Sequence, residues 1–247
     1  TQDGFSIPVR LTVPEVAGPV PLIVNPHGGP HGVSDNWGFN YETQLLASRG
    51  YAVLQINFRG SGGLGKNFEE AGHKEWGGKM IDDIAAATRW ALSRQDIDEE
   101  RVCAYGASYG AYASYMLAVR EPPMLGCVVG YVGVYDLNIM YSTGDIPDSW
   151  GGTSFLERVI GRDEKMLDEF SPVTHASKIT AAPMLIHGED DIRAPIDHAF
   201  AMREALQDVG SAPVWLKIDE SGHGAGNIKT RLELYESLLA FLEGSLR

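Results

Sequence analysis

Positive charge is in short supply in this sequence. Lys and Arg number 20 against 33 Asp and Glu, for a net charge of −13. Nucleic acid and anionic membrane surfaces both demand clustered cations, so neither is expected as a partner. Long apolar runs are missing too: none approaches the ~20 residues of a membrane-spanning helix. A signal-peptide pattern is not seen, yet the chain opens at Thr1 rather than at a methionine. That start fits a processed form or an excised domain and leaves the compartment open. Cysteine is limited to Cys103 and Cys127, each inside an apolar strand-like run. Disulfide frameworks belong to smaller and cysteine-richer chains, so the two read as buried free thiols, which lean slightly toward a cytoplasmic setting. Repeats, low-complexity segments and long linkers are absent as well.

What is present suits one large α/β domain over 1–247, long enough to bury a substantial core. The opening TQDGFSIPVRLTVP alternates polar and apolar residues around Asp3-Gly4 and predicts antiparallel edge strands. Short apolar runs at 22–25, 51–58, 102–105, 126–134, 184–187 and 214–218 predict buried strands. Helices are expected at 41–48, 82–92, 110–119 and 227–242, the last from Ile228, Leu232, Tyr235, Leu238, Leu239 and Leu242 at helical spacing. Strands without clean alternation, separated by helices, indicate a mostly parallel sheet with helices on both faces. The long connection 135–182 is expected to run over the C-terminal edge of that sheet and to help form a substrate pocket. Within it, Ser154 and Glu157 have the spacing of a capping box.

The most informative stretch is RVCAYGASYGAY at 101–112. Its centre, Gly106-Ala107-Ser108-Tyr109-Gly110, has the G-x-S-x-G pattern of a strand-to-helix turn that lifts a serine above a sheet edge. The serine of such a turn is strained, and the glycines two residues to either side let strand and helix approach. A bland reading is a glycine-bearing turn with an incidental serine, in a chain holding 29 glycines. Partners decide between the two. A nucleophilic serine needs a base and an orienting acid, and in this architecture they follow it in the order Ser, acid, His. Of the four histidines after Ser108, only His223, in ESGHGAG, combines that order with a flexible loop after the last strand; His175, His187 and His198 do not. The strand MLIHG runs into EDDIRAP, which offers Glu189, Asp190 and Asp191 without separating them. His27-Gly28-Gly29-Pro30 follows an earlier strand, where such motifs present a backbone N–H beside that of Tyr109. A metal reading of His27 and His31 fails, because i,i+4 ligands align only on a helix and Gly-Gly-Pro between them forbids one.

Together these blocks resemble the catalytic domain of the prolyl oligopeptidase family of serine peptidases, in its acylaminoacyl-peptidase and dipeptidyl-aminopeptidase-like branch. The resemblance rests on PLIVNPHGGPHG, LASRGYAVLQINFRGSGGLGKNF, KEWGGKMIDDI, RVCAYGASYGAY, SPVTHASKI, PMLIHGEDDIRAP and DESGHGAGN. It implies an α/β-hydrolase fold with Ser108 as nucleophile, His223 as base and Asp191 as the acid. The resemblance also implies oxyanion donors at the N–H groups of Tyr109 and Gly29, and a substrate-carbonyl contact from Arg193. No cofactor and no metal are called for. Ala111 departs from the glycine usual in the family. Relatives carry an N-terminal β-propeller that filters substrates; no propeller repeats precede Thr1, so exo- against endopeptidase specificity does not carry over. The expected substrate is a short or N-blocked peptide. The alternatives are an acyl ester, cleaved by a carboxylesterase with the same residues, or a non-catalytic binding domain. Nothing in the composition excludes a homo-oligomer.

Overall fold

A computed structural model describes residue 1 and residues 3–247. Seven strands, β1 (Val9–Thr12), β2 (Val20–Pro26), β3 (Ala52–Ile56), β4 (Ile97–Ala107), β5 (Cys127–Tyr131), β6 (Ala182–Gly188) and β7 (Val214–Ile218), form one sheet in the order β1-β3-β2-β4-β5-β6-β7. Every pairing is parallel except that of β1, which runs antiparallel to β3 at one edge. The opening segment therefore supplies one edge strand. The helices are α1 (Tyr41–Ser48), α2 (Lys66–Glu70), α3 (Lys79–Leu92), α4 (Tyr109–Arg120), α5 (Asp145–Asp148), α6 (Gly152–Val159), α7 (Glu164–Glu169), α8 (Asp197–Asp208) and α9 (Ile228–Ser245). Both faces of the sheet are covered, which is why its central strands are apolar throughout. Leu22, Val24, Val102, Ala104 and Val128 point to the face packed by α3, α4 and α8. Ile23, Cys103, Tyr105, Cys127 and Val129 alternate to the face packed by α1 and α9. This is the α/β-hydrolase fold, and it stacks the C-terminal ends of β2, β4, β5, β6 and β7 along one edge.

Two buried polar clusters tie the layers together. Arg59, 4 % exposed, forms a paired hydrogen bond to Asp83 at 2.8 and 2.6 Å and also reaches Asp3. Glu42 on α1 accepts the hydroxyls of Tyr105 on β4 (2.7 Å) and Tyr235 on α9 (3.1 Å), and burial pushes its carboxyl above the ordinary range.

Three expectations need correction. Cys103 and Cys127 are not free thiols; they are joined as a disulfide. They are direct register partners on neighbouring parallel strands, with Cα atoms 4.6 Å apart, inside the range a disulfide spans. The slight lean toward the cytoplasm rested on free thiols and falls with them. The capping box from Ser154 to Glu157 does not form: α6 starts earlier, behind Gly151 at φ 77°, which leaves Ser154 inside the helix. Glu157 instead pairs with Arg162. On α9, Leu234, Leu238 and Leu242 make the buried face, whereas Ile228 and Leu232 are exposed. The first turn of α9 buries Thr230 rather than Ile228. Its cap is the box formed by Asn227 and Thr230. Among the described residues no helix is long and apolar enough to cross a membrane.

Candidate active site

Ser108 stands between β4 and α4 with φ 57° and ψ −122°, a conformation that L-residues avoid. The surroundings enforce it. A Cβ on Gly106 would strike the backbone of Gly110, and one on Gly110 would strike the Pro26 carbonyl. Ser108 N–H donates to Tyr131 O at 2.9 Å, and its carbonyl accepts the first turn of α4 from Ala111 at 3.1 Å. The hydroxyl is thus held at a helix N-terminus, with the dipole's positive end beneath it.

His223 lies in the loop between β7 and α9, its side chain 28 % exposed. Its Nε2 is 3.0 Å from Ser108 Oγ and its Nδ1 is 2.8 Å from Asp191 Oδ2. Three residues 115 and 32 positions apart in pairs are so joined in one line. Burial separates the acids that sequence alone left open. Asp191 is 5 % exposed, while Glu189 and Asp190 face solvent and Glu189 pairs with Lys217. Burial pushes the Asp191 carboxyl up. The nearby His187 imidazole and the hydrogen bonds accepted from His223 and the Ala194 N–H outweigh that push and hold it well below the usual carboxylate range. Of these groups His187 is the most distant, 3.5 Å from Oδ2, because its Nε2 N–H goes to Ala194 O at 2.8 Å. Asp191 Oδ1 accepts N–H groups from Arg193 (2.9 Å) and Ala194 (3.0 Å). The remaining histidines are committed elsewhere: His175 to Glu169 O and His198 to the Tyr135 and Asp136 N–H groups.

The 27–30 turn packs directly on the serine, since a Cβ on Gly28 would lie 3.5 Å from Ser108 Cβ. Neither Gly29 N–H nor Tyr109 N–H has a protein acceptor among the described residues. His27, which sequence reading considered only as part of the motif or as a metal ligand, steadies this turn. Its ring stacks on Phe58 at 4.4 Å, and burial pushes its pKa down to about 4. A carbonyl can only accept, so His27 Nδ1 donates to Gly28 O (2.7 Å), while Nε2 meets Ser61 Oγ at 2.8 Å. That bond fixes the peptide plane whose N–H belongs to Gly29. Tyr109 is fully buried, edge-on to Trp76, with its hydroxyl donating to Trp76 O at 3.2 Å.

Arg193 is about half exposed and binds Asp145 of α5 through Nε (2.7 Å) and Nη2 (2.9 Å). Its Nη1 has no protein hydrogen bond among the described residues. Asp145 comes from the 135–182 connection, which therefore does reach the sheet edge. A cleft of about 560 Å³ lies there, bordered by Asp145, Asp148, Ser149, Asp191 and Ile192. Asp145 went unnoticed in the sequence because nothing local ties it to a residue 48 positions away. Among the described residues no group of three or more His, Cys, Asp or Glu side chains could hold a metal ion.

Residues 37–247 match the prolyl oligopeptidase family model. The chain is 34 % identical to dipeptidyl aminopeptidase BIII of Pseudoxanthomonas mexicana, covering 91 % of this chain and 34 % of that protein. It is 32 % identical to dipeptidyl peptidase family member 6 of Caenorhabditis elegans, over 92 % of this chain and 31 % of the relative. It thus spans about a third of the length of these curated relatives. The solved acylaminoacyl peptidase of Pyrococcus horikoshii superimposes with a TM-score of 0.90 at 28 % identity, over 97 % of this chain and 39 % of that one. With the serine turn, the acidic turn and the histidine loop all inside the matched residues, the chain belongs to the prolyl oligopeptidase family.

Proposed function

We propose that this chain is the catalytic part of a serine peptidase that cleaves short or N-blocked peptides through an acyl-enzyme. The observation that carries the reading is the single imidazole of His223 within hydrogen-bond reach of both Ser108 Oγ and Asp191 Oδ2. His223 Nε2 takes the hydroxyl proton as Ser108 Oγ attacks the scissile carbonyl, then returns it to the leaving amine. A water, deprotonated by the same nitrogen, then releases the acyl group. Asp191 keeps the other imidazole proton on Nδ1 and stabilises the imidazolium that forms. The N–H groups of Tyr109 and Gly29 receive the oxyanion; one such donor contributes on the order of 10²–10³ in kcat. Arg193 offers Nη1 to a substrate carbonyl on the acyl side.

Fluorophosphonate labelling tests the chemistry. The wild-type chain is expected to label and Ser108→Ala is not; a Ser108→Ala chain that labels as well as wild type defeats the reading. A panel of aminoacyl anilides and short-chain acyl esters then tests the substrate class. Anilide cleavage is expected, and ester hydrolysis with negligible anilide cleavage would make the chain an esterase instead.

A further inference from the structure

His187 has no part in the steps above, yet it is wholly buried against the acid that orients the base. It stands near the end of β6, four residues before Asp191. Its Nε2 is 2.8 Å from Ala194 O and 3.5 Å from Asp191 Oδ2. Because the carbonyl can only accept, the ring proton sits on Nε2; Nδ1 is buried without a protein partner. Ala194 is consequently held at both ends. Its N–H donates to Asp191 Oδ1 and its carbonyl accepts from His187. The turn that wraps the carboxylate is closed by this one ring.

We propose that His187 is a positioning residue: its single N–H fixes the 191–194 turn and leans on Asp191 Oδ2, keeping that carboxylate aimed at His223. The proposal rests on the serine-hydrolase reading above. The groups facing Asp191 are His223 from the last loop, His187 from β6, Tyr131 at the end of β5, and Arg193, which turns outward to Asp145. His198 of α8 is near enough to feel both His187 and Asp191. Of these side chains, the two imidazoles at 187 and 223 come within 3.5 Å of the carboxylate. Removing the N–H at 187 leaves more negative charge to act on His223, so imidazolium at 223 is favoured and the acid limb of the rate profile moves to higher pH.

The test compares His187→Met, which keeps the length without a donor, with His187→Gln, whose amide N–H can reach Ala194 O. Both are made in the same chain and assayed against pH on an aminoacyl anilide, with fluorophosphonate labelling alongside. By analogy with other outer-shell partners, His187→Met should lose about tenfold to a hundredfold in kcat, with KM changed far less. Its acid limb should move up in pH, and His187→Gln should recover most of both losses. A folded His187→Met with wild-type kcat and acid limb overturns the proposal, as does an equal loss in the two variants with no displacement of the limb. Should His187→Met fail to fold, His187→Phe, a ring without a donor, takes its place: an acid limb displaced upward in His187→Phe and restored in His187→Gln supports the role, and a wild-type limb in His187→Phe overturns it. A wild-type chain that does not label brings down the hydrolase reading and this role with it. A labelled wild type beside unchanged variants removes only the role.

Discussion

The serine turn and the histidine loop meet at one hydrogen bond, but they are held by opposite means. At 106–110 the position of the hydroxyl follows from exclusion: strand, helix and the Pro26 carbonyl leave no volume for a side chain at Gly106 or Gly110. At 223–226 the backbone has room, although just before it the carbonyls of Ser221 and Gly222 leave none for a side chain at Gly188. Gly226 would meet nothing within 4 Å, and Gly222 makes only ordinary contact with Asp190 O. There the imidazole is held by hydrogen bonds: Asp191 on its Nδ1, Ser221 Oγ donating to Gly224 O, and Arg231 Nε donating to Ala225 O. In the mechanism proposed above, attack demands a nucleophile that does not wander, whereas the base must swing slightly between the serine and the leaving group. Steric locking suits the first and side-chain tethers suit the second.

The sharpest way to break this contrast is chemical. Ser108→Ala and His223→Ala should each cost on the order of 10⁶ in kcat despite their different burial, and the double variant little more, because the two act as a unit. Steady-state rates on an anilide substrate check it, and additive losses would separate them. Next comes the backbone. Gly110→Ala should destabilise by about 4 kcal/mol or more, against roughly 0.5 kcal/mol for Gly226→Ala, read from urea midpoints. Similar shifts in both would mean that the serine turn is looser than its packing indicates.

The 27–30 turn can be probed by pH. Burial pushes the His27 pKa from 6.5 down to about 4, so the unfolded chain binds a proton there before the folded chain does. Stability is full above about 6.5 and is lost as pH falls toward 4, by about 3 kcal/mol for this group. Asp35 acts in the opposite sense: burial pushes its carboxyl up to about 6, so stability contributed near pH 4 is lost as pH rises through 6. His27→Gln should flatten the acid side of the stability profile, and an unchanged slope would assign it to other groups. The smallest effect belongs to the exposed rim. Asp145→Asn removes a largely solvated ion pair worth about 1 kcal/mol or less, so it should raise KM severalfold and leave Tm almost unchanged.

The sequence disclosed whatever depends on neighbours along the chain. The serine turn and the strand runs are local patterns, and α1 and β7 fall where those patterns end; the order of hydroxyl, acid and imidazole is read along the chain once each local motif is known. Choosing Asp191 over Asp190 needed burial or a family likeness, because three adjacent acids share one local signature. The joined cysteines were hidden for the same reason: 24 residues separate them, and only strand register makes them neighbours. Ile228 and Leu232 have the spacing of a buried stripe, but spacing alone does not say that the buried face is the one bearing Thr230, Leu234, Leu238 and Leu242. Neither the grip of His187 on Ala194 nor that of Asp145 on Arg193 leaves a mark in local composition.

The bond between Cys103 and Cys127 places α4 and Ser108 inside a covalent ring. Even a fully denatured molecule keeps that ring, so the segment bearing the hydroxyl starts refolding with its two flanking strands already introduced to each other. For a loop of this length the lost chain entropy amounts to about 3 kcal/mol. A reductant should therefore weaken the centre of the sheet first, while the edge strand Val9–Thr12 and the far helix Ile228–Ser245 have no such tether to lose.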